Sequence, residues 1–442
     1  MPALPLPTVV PAPAVVRPPG AYSALALLLA INLFNYLDRF ILAAVEPNIR
    51  AAFFAPGDPD AMAKTGSLAT AFLVSYMIAA PVFGWFADRF SRWWLIGGAV
   101  ALWSFASGAS GLAATFGALF LTRVFVGIGE GGYGPAAPTL ISDYFSLEER
   151  GRKMSYFYMA IPVGSALGYV FGGSVAARFG WRWPFYLVTI PGLLLALICF
   201  FRRDPRKVVA PSQRQASSRA IRGQHFQILS FIAAIIATYS PLFRIPSFVY
   251  NTIAMTGMTF AIGGVSFWVP SYLHEYRGLA DLGHVNTVFG AITVVAGFAA
   301  TLFGGWLGDK LRPRFGGSYF LVSGGGMLTA VPCFLAMLYV PFPAAWVFVF
   351  LTVFFLFFNT GPSNTALANV SPPSIRASAF ALNILCIHLL GDAFAPPLIG
   401  WVAGRTNFNT AFLLVAAAMF VAGVVWLLGA KHLPRDTAAA SV

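Results

Sequence analysis

Apolar runs of about 20 residues recur along the chain, parted by short polar breaks, and each is long enough to cross ~30 Å of hydrocarbon as a helix. They cover 23–47, 66–87, 93–114, 117–143, 154–177 and 183–201, then 246–271, 285–308, 318–340, 343–368, 377–402 and 408–430. The pattern predicts an all-α membrane protein of twelve transmembrane helices, six on each side of a central break. The expected division is a flexible tail over 1–21, a six-helix half over 22–202, a basic linker over 203–245, a second six-helix half over 246–430 and a tail over 431–442. Within the linker, 224–240 is apolar but cut short by Pro241 and Arg244. It reads as an interfacial helix, because a thirteenth span would invert the second half. The proline-rich opening, MPALPLPTVVPAPAVVRPPG, lacks the basic start of a secretory signal and reads as a cytoplasmic tail.

Composition sharpens this picture. The 442 residues are 58% hydrophobic and only 10% charged, where a soluble domain carries about 25% charged residues. A soluble enzyme is excluded. The net charge of +13 would suggest nucleic acid in a soluble protein. Its placement gives a different reason. With both termini inside, 20 of the 28 lysines and arginines fall on cytoplasmic segments and six outside, as the positive-inside rule requires. No nucleic-acid partner is needed. Cys199, Cys333 and Cys386 lie in apolar runs without metal spacing, and no metal or other cofactor is expected. No glycine-rich run ends in Lys-Ser or Lys-Thr, so nothing points to ATP. Gly127, Gly129 and Gly132 have dinucleotide-like spacing but lie inside a span.

The two halves repeat. GWFADRFSR, Gly84–Arg92, follows the second span, and GWLGDKLRPR, Gly305–Arg314, follows the eighth. Asp88 and Asp309 are 221 residues apart, and Arg150 and Arg376 are 226 apart. A duplicated six-helix unit places a substrate site near the midplane, between the halves.

These loops resemble the signature of the major facilitator superfamily. Gly84, Asp88, Arg89 and Arg92 match it well, Gly305, Asp309 and Lys310 less fully, and Asp143, Glu149 and Arg150 resemble its loop after the fourth helix. The resemblance implies a conformational latch at these residues. NYLDRF at 35–40, RVFVGIGEGGYGPAAPTLISDYF at 123–145, FYMAIPVGSALGY at 157–169 and HLLGDAFAPPLIG at 388–400 together resemble the Spinster branch. That branch implies movement of amphipathic lipids, such as lysophospholipids or sphingosine phosphate, coupled to protons. Gly164, Gly168, Gly172 and Gly173 resemble the superfamily's antiporter motif, with Tyr169 in place of a proline. They read as close packing between the halves.

Charges in a span carry a penalty of at least ~2.5–3.5 kcal/mol, so they face the interior and find partners. Asp38 and Arg39 lie in the first span, and Arg123 and Glu130 in the fourth. Arg123 and Glu130, seven residues apart, share a face and are separated by ~10.5 Å along the axis. Asp38 and Arg39 diverge by ~100°. The resemblance implies that the first and fourth helices line the cavity together. The expectation is that Asp38 and Glu130 carry the proton, while Arg39 and Arg123, with Asn35, bind the headgroup. The second half offers no acid at the matching position, near Leu356. Its tenth span is aromatic, and Phe358 and Asn359 are expected to contact substrate there. Glu46 reads as interfacial. His388 and Asp392, four apart, can hydrogen-bond, and both a structural pair and a proton relay fit them.

The function expected is a proton-coupled, alternating-access transporter of an amphipathic lipid-like substrate. It is expected to be monomeric in the cell membrane, with membrane lipids and protons as its other partners. The alternative is a proton-coupled exporter of drugs or other small organic molecules. A non-transporting scaffold is disfavoured by the embedded charges, and a lipid enzyme by the lack of a nucleophile–base pair.

Overall fold

The structure, a computed structural model, describes residues 18–205, 239–372 and 375–440, with Asp88, Leu147, Glu148, Gly151 and Ala377 described by their backbone alone. The interfacial helix expected over 224–240 lies outside the described residues apart from its last two positions. The described chain is helical throughout its ordered elements. The first six spans are Ala21–Ala44, Ala61–Arg89, Arg92–Leu112, Phe116–Tyr133 continued by Ala136–Tyr144, Leu147–Phe179 and Trp183–Phe200. The second six are Pro246–Ser271, Leu282–Leu311, Ser318–Tyr339, Ala345–Phe358 continued by Thr360–Val370, Arg376–Ile387 continued by Ala395–Arg405, and Phe408–Gly429. Two short helices, Glu46–Phe53 and Leu433–Ala440, lie beyond the first and twelfth spans.

Among the described residues eleven helices are long and apolar enough to cross a membrane. The twelfth is the fourth span, broken after Tyr133. Pro135 lacks the N–H that would continue the hydrogen-bond ladder, so the helix restarts at Ala136. The first span ends at Ala44, short of the predicted limit, and Glu46 begins a new helix with Pro47 in its first turn. The eleventh span contains a π-helical turn, His388–Asp392. Such wider, under-wound turns recur at functional sites.

Glycines set the helix spacing. A Cβ on Gly164 or Gly168 would lie 2.7 or 2.5 Å from the Leu33 and Leu37 carbonyl oxygens of the first span, and one on Gly172 would lie 3.2 Å from Ile41 Cα. These three therefore join the fifth span to the first, inside one half. Only Gly173 reaches the other half, at Asn286 of the eighth span. The expected half–half seam is thus corrected. Residues four apart share a face, and Gly173 is turned ~100° from Gly172. Gly127, Gly129 and Gly132 let the fourth span touch the second and third at Phe72, Trp103 and Ala99. They serve helix approach.

The halves meet along two seams. Gly66 of the second span abuts Pro396 of the eleventh, and Gly290 of the eighth abuts the Ala166 carbonyl of the fifth. The Tyr169 hydroxyl donates to the Ser266 carbonyl at 2.5 Å, and Asn286 Nδ2 to the Ala44 carbonyl at 3.0 Å. These contacts lie toward the end that carries Glu46. At the opposite end, where the basic loops gather, no hydrogen bond or ion pair among the described residues joins the halves.

Candidate functional site

The first span presents adjacent charges to different neighbours. Asp38 is buried, accepts a hydrogen bond from the Ser107 hydroxyl of the third span, and lies 4.0 Å from Arg123 Nη2 of the fourth. Arg39 turns the other way, and its Nε donates to Glu130 Oε2 at 2.6 Å. The two pairs are therefore Arg39–Glu130 and Asp38–Arg123. The Glu130 carboxylate is buried, whereas the Arg39 side chain keeps 21% of its surface accessible. The Arg39 guanidinium lies 4.9 Å from the Tyr36 ring centre, 4.8 Å from Phe72 and 5.3 Å from Tyr76. Rings at such distances attract a cation through their quadrupoles.

Several polar atoms in this cluster are buried without a hydrogen-bond partner: Asn35 Nδ2, Asp38 Oδ2, Glu130 Oε1, and Arg123 Nε and Nη1. Leaving such a group unpaired carries a penalty of about 1–3 kcal/mol. The cluster therefore has spare donors and acceptors beside two acids and two bases. A change in the protonation of one acid alters which base is paired.

Ser107, Tyr36, Phe72 and Tyr76 were not anticipated. Gly127 stands one turn from Glu130, and a Cβ there would lie 2.2 Å from the Phe72 carbonyl oxygen. That glycine marked a close helix approach but not which helix approaches.

Two residues expected to contact substrate are buried in this structure. Phe358 is only 5% exposed; its ring packs on Gly326 of the ninth span, and its backbone carbonyl abuts Gly304 of the eighth. Asn359, at the break in the tenth span, is fully buried and donates to its own Leu356 carbonyl at 2.9 Å. Both pack inside the second half, and the glycines opposite Phe358 let the neighbouring helices close over it.

Glu46 is also corrected. It is 1% exposed rather than interfacial. Its carboxylate accepts from Thr65 of the second span at 2.8 Å, from Ser271 of the seventh at 2.7 Å and from Arg50 Nε at 3.0 Å. Arg50 also bonds Glu275 of the second half. Although burial works against its charge, Glu46 and Glu275 hold the Arg50 guanidinium above its usual range. This cluster ties the halves together at one end, assisted by Arg405–Asp60 at 2.6 Å and by Thr70 donating to the Ala393 carbonyl at 2.5 Å.

At the basic end, Arg92 is the hub. It pairs with Asp143 at 2.5 Å and Asp204 at 2.8 Å, and bonds Thr139 at 3.0 Å. Asp204, after the sixth span, was not singled out as a partner. The Asp88 side chain lies outside the described residues. Arg89 stacks on Trp85 at 3.9 Å, and Lys310 on Trp306 at 4.5 Å. Arg150 donates to the Ser142 carbonyl at 2.7 Å, Glu149 faces Arg152 at 3.9 Å, and Asp309 accepts from Tyr319 at 2.7 Å. Each of these contacts stays within its own half.

On the eleventh span His388 Nδ1 lies 3.0 Å from both Asp392 oxygens, across the π turn. The helix's wider winding still holds the pair together.

Comparison with known proteins gives the family. The Major Facilitator Superfamily model matches residues 28–391. Protein spinster homolog 3 of Danio rerio is 34% identical over 408 residues, spanning 88% of this chain and 78% of that one. This chain belongs to the major facilitator superfamily, in its spinster family. Human protein spinster homolog 1 is 35% identical over 403 residues, covering 87% of this chain and 73% of its own. Among solved structures, a bacterial homologue of the human lysosomal transporter Spinster, inward-facing and unoccupied, superposes with a TM-score of 0.78. It is 21% identical and covers 95% of this chain and 98% of its own. A D-xylose–proton symporter superposes at 0.68 with 17% identity, covering 92% and 97%. The spinster-type chain is thus a multi-pass membrane transporter with the twelve-helix, two-half fold expected from its pattern, rather than an enzyme.

Proposed function

We propose that this spinster-type transporter moves an amphipathic, lipid-like substrate with an anionic or zwitterionic head by alternating access, coupled to protons. The observation that carries the reading is the Arg39–Glu130 pair, held in an aromatic cage beside Asp38–Arg123. Protonation of Glu130 removes the charge that holds Arg39. The guanidinium, already the most accessible of the four charges, then pairs with an anionic headgroup while Tyr36, Phe72 and Tyr76 face the adjoining carbons. Asp38 and Arg123 keep the second charge balance, and Asn35 supplies a donor. Deprotonation returns Glu130 to Arg39 and releases the head.

In this reading the protein sits in the cell membrane, and the positive-inside bias supports a cytoplasmic position for the basic end and both termini. On this orientation the Glu46 cluster closes the outer face and the halves part inward. Arg92 with Asp143 and Asp204, together with Gly84, Asp88, Arg89, Glu149, Arg150, Asp309 and Lys310, forms the inner hinge region that re-pairs when the halves rock. His388 and Asp392 give the second half its own hydrogen-bonded pair. The protein acts as a monomer.

Flux in liposomes tests the coupling. Glu130→Gln should abolish the pH dependence of lysophospholipid transport while leaving the protein folded. Unaltered pH-dependent flux in that variant would remove the proton role.

A further inference from the structure

Lys153, near the basic end of the fifth span, is only 5% exposed. Its ammonium lies 4.8 Å from the Tyr22 ring, 5.4 Å from Phe145 and 5.6 Å from Tyr156. No carboxylate among the described residues lies within 4.0 Å of it. Cation–aromatic contacts hold a lysine in place but do not neutralise it. A buried cation with no acid beside it among the described residues favours an external anion.

Tyr156, one turn further along, also lines an open apolar groove between the fifth and first spans. Leu29, Leu33, Met159 and Val163 form its walls. Lys153, Tyr156, Ala160 and Val163 follow helical spacing on one face. That stripe runs ~15 Å from the charge to its apolar end. The groove closes where Gly164 brings the fifth span onto Leu33 and Tyr36. Tyr36 stacks on Arg39. The stripe thus leads from a basic tip, over an apolar floor, to the central pair.

We propose that Lys153 and this groove form a loading subsite for a single-chain anionic amphiphile. The headgroup rests on Lys153 and the chain lies along the groove before the molecule passes to Arg39. The subsite rests on the transport reading above for its destination, but binding there can be measured without transport.

The probe is dodecyl phosphate carrying a diazirine on its chain, added to the full-length protein in nanodiscs of uncharged phosphatidylcholine. Peptide mass spectrometry should find adducts on Leu29, Leu33 or Met159, competed by plain dodecyl phosphate and not by inorganic phosphate. Lys153→Gln should cut this labelling about tenfold, the loss of one charge-assisted contact, and Lys153→Arg should retain it. Val163→Phe, which fills the groove, should lower labelling in protein whose melting temperature is unchanged.

Adducts found only outside the groove in the wild-type protein would overturn the proposal. So would competition by a two-chain phosphatidylglycerol as strong as that by dodecyl phosphate, since the groove would then hold an ordinary bilayer lipid. Arg39→Gln separates the two readings. Groove labelling with flux lost supports both. Groove labelling in a wild-type protein that moves no lysophospholipid keeps the subsite and removes the transport reading.

Discussion

Asp38 and Arg39 are chain neighbours with different partners, and that difference follows from the ~100° between successive helical side chains. Ser107 is what fixes Asp38. Ser107→Ala leaves a buried carboxylate short of a donor, which should cost about 1–3 kcal/mol, read as a lower melting temperature in detergent. Adding Asp38→Asn should recover part of that loss, and strictly additive losses would mean that the two side chains do not interact. Arg39→Ala should weaken transport of anionic amphiphiles more than neutral ones, and equal losses would assign Arg39 a structural role. Phe358 gives the contrasting case. Its ring packs on Gly326 and it is only 5% exposed, so its conversion to Ala should cost about 3–5 kcal/mol of stability with an unchanged KM. A raised KM without destabilisation would return it to the substrate path.

Elements depend on where side chains are missing. A methyl on Gly168 would sit 2.5 Å from the Leu37 carbonyl oxygen, so Gly168→Ala must push the fifth span off the first. Overpacking of this kind costs about 1–3 kcal/mol, and the yield of folded protein should fall. Gly305→Ala is the matched control, since nothing lies within 4 Å of a methyl there. Equal yields from the two would show that the seam tolerates separation. The helices themselves were legible from the apolar pattern. Their breaks were less so: Pro135 is visible in the sequence, but prolines at 81, 162, 191, 270 and 332 all stand inside continuous helices. Whether a proline breaks a span depends on what its neighbours do with the freed carbonyl.

For the whole molecule the Glu46 cluster matters most. It joins the first span's extension to the seventh span and, with Arg405–Asp60, forms the ionic closure of one end. Glu46→Gln or Arg50→Ala should shift the equilibrium toward the state open at that end. In a background freed of its three native cysteines, a cysteine at Met62, which packs on Gly400, should react several-fold faster with a polar thiol reagent. An unchanged rate in both variants would show that the cluster does not hold the halves together.

The chain alone determined that there are twelve spans, that they repeat, and that four charges are embedded in the first half. Hydrophobic length, loop charge and motif spacing are local properties written in order along the sequence. Only the tertiary structure decided that Arg39 takes Glu130 while Asp38 takes Arg123, that Arg92 gathers Asp204 across 112 residues, and that Glu46 is buried between halves. Pairing depends on which helix faces approach and how closely. That is set by packing among spans distant in sequence, which no single segment encodes.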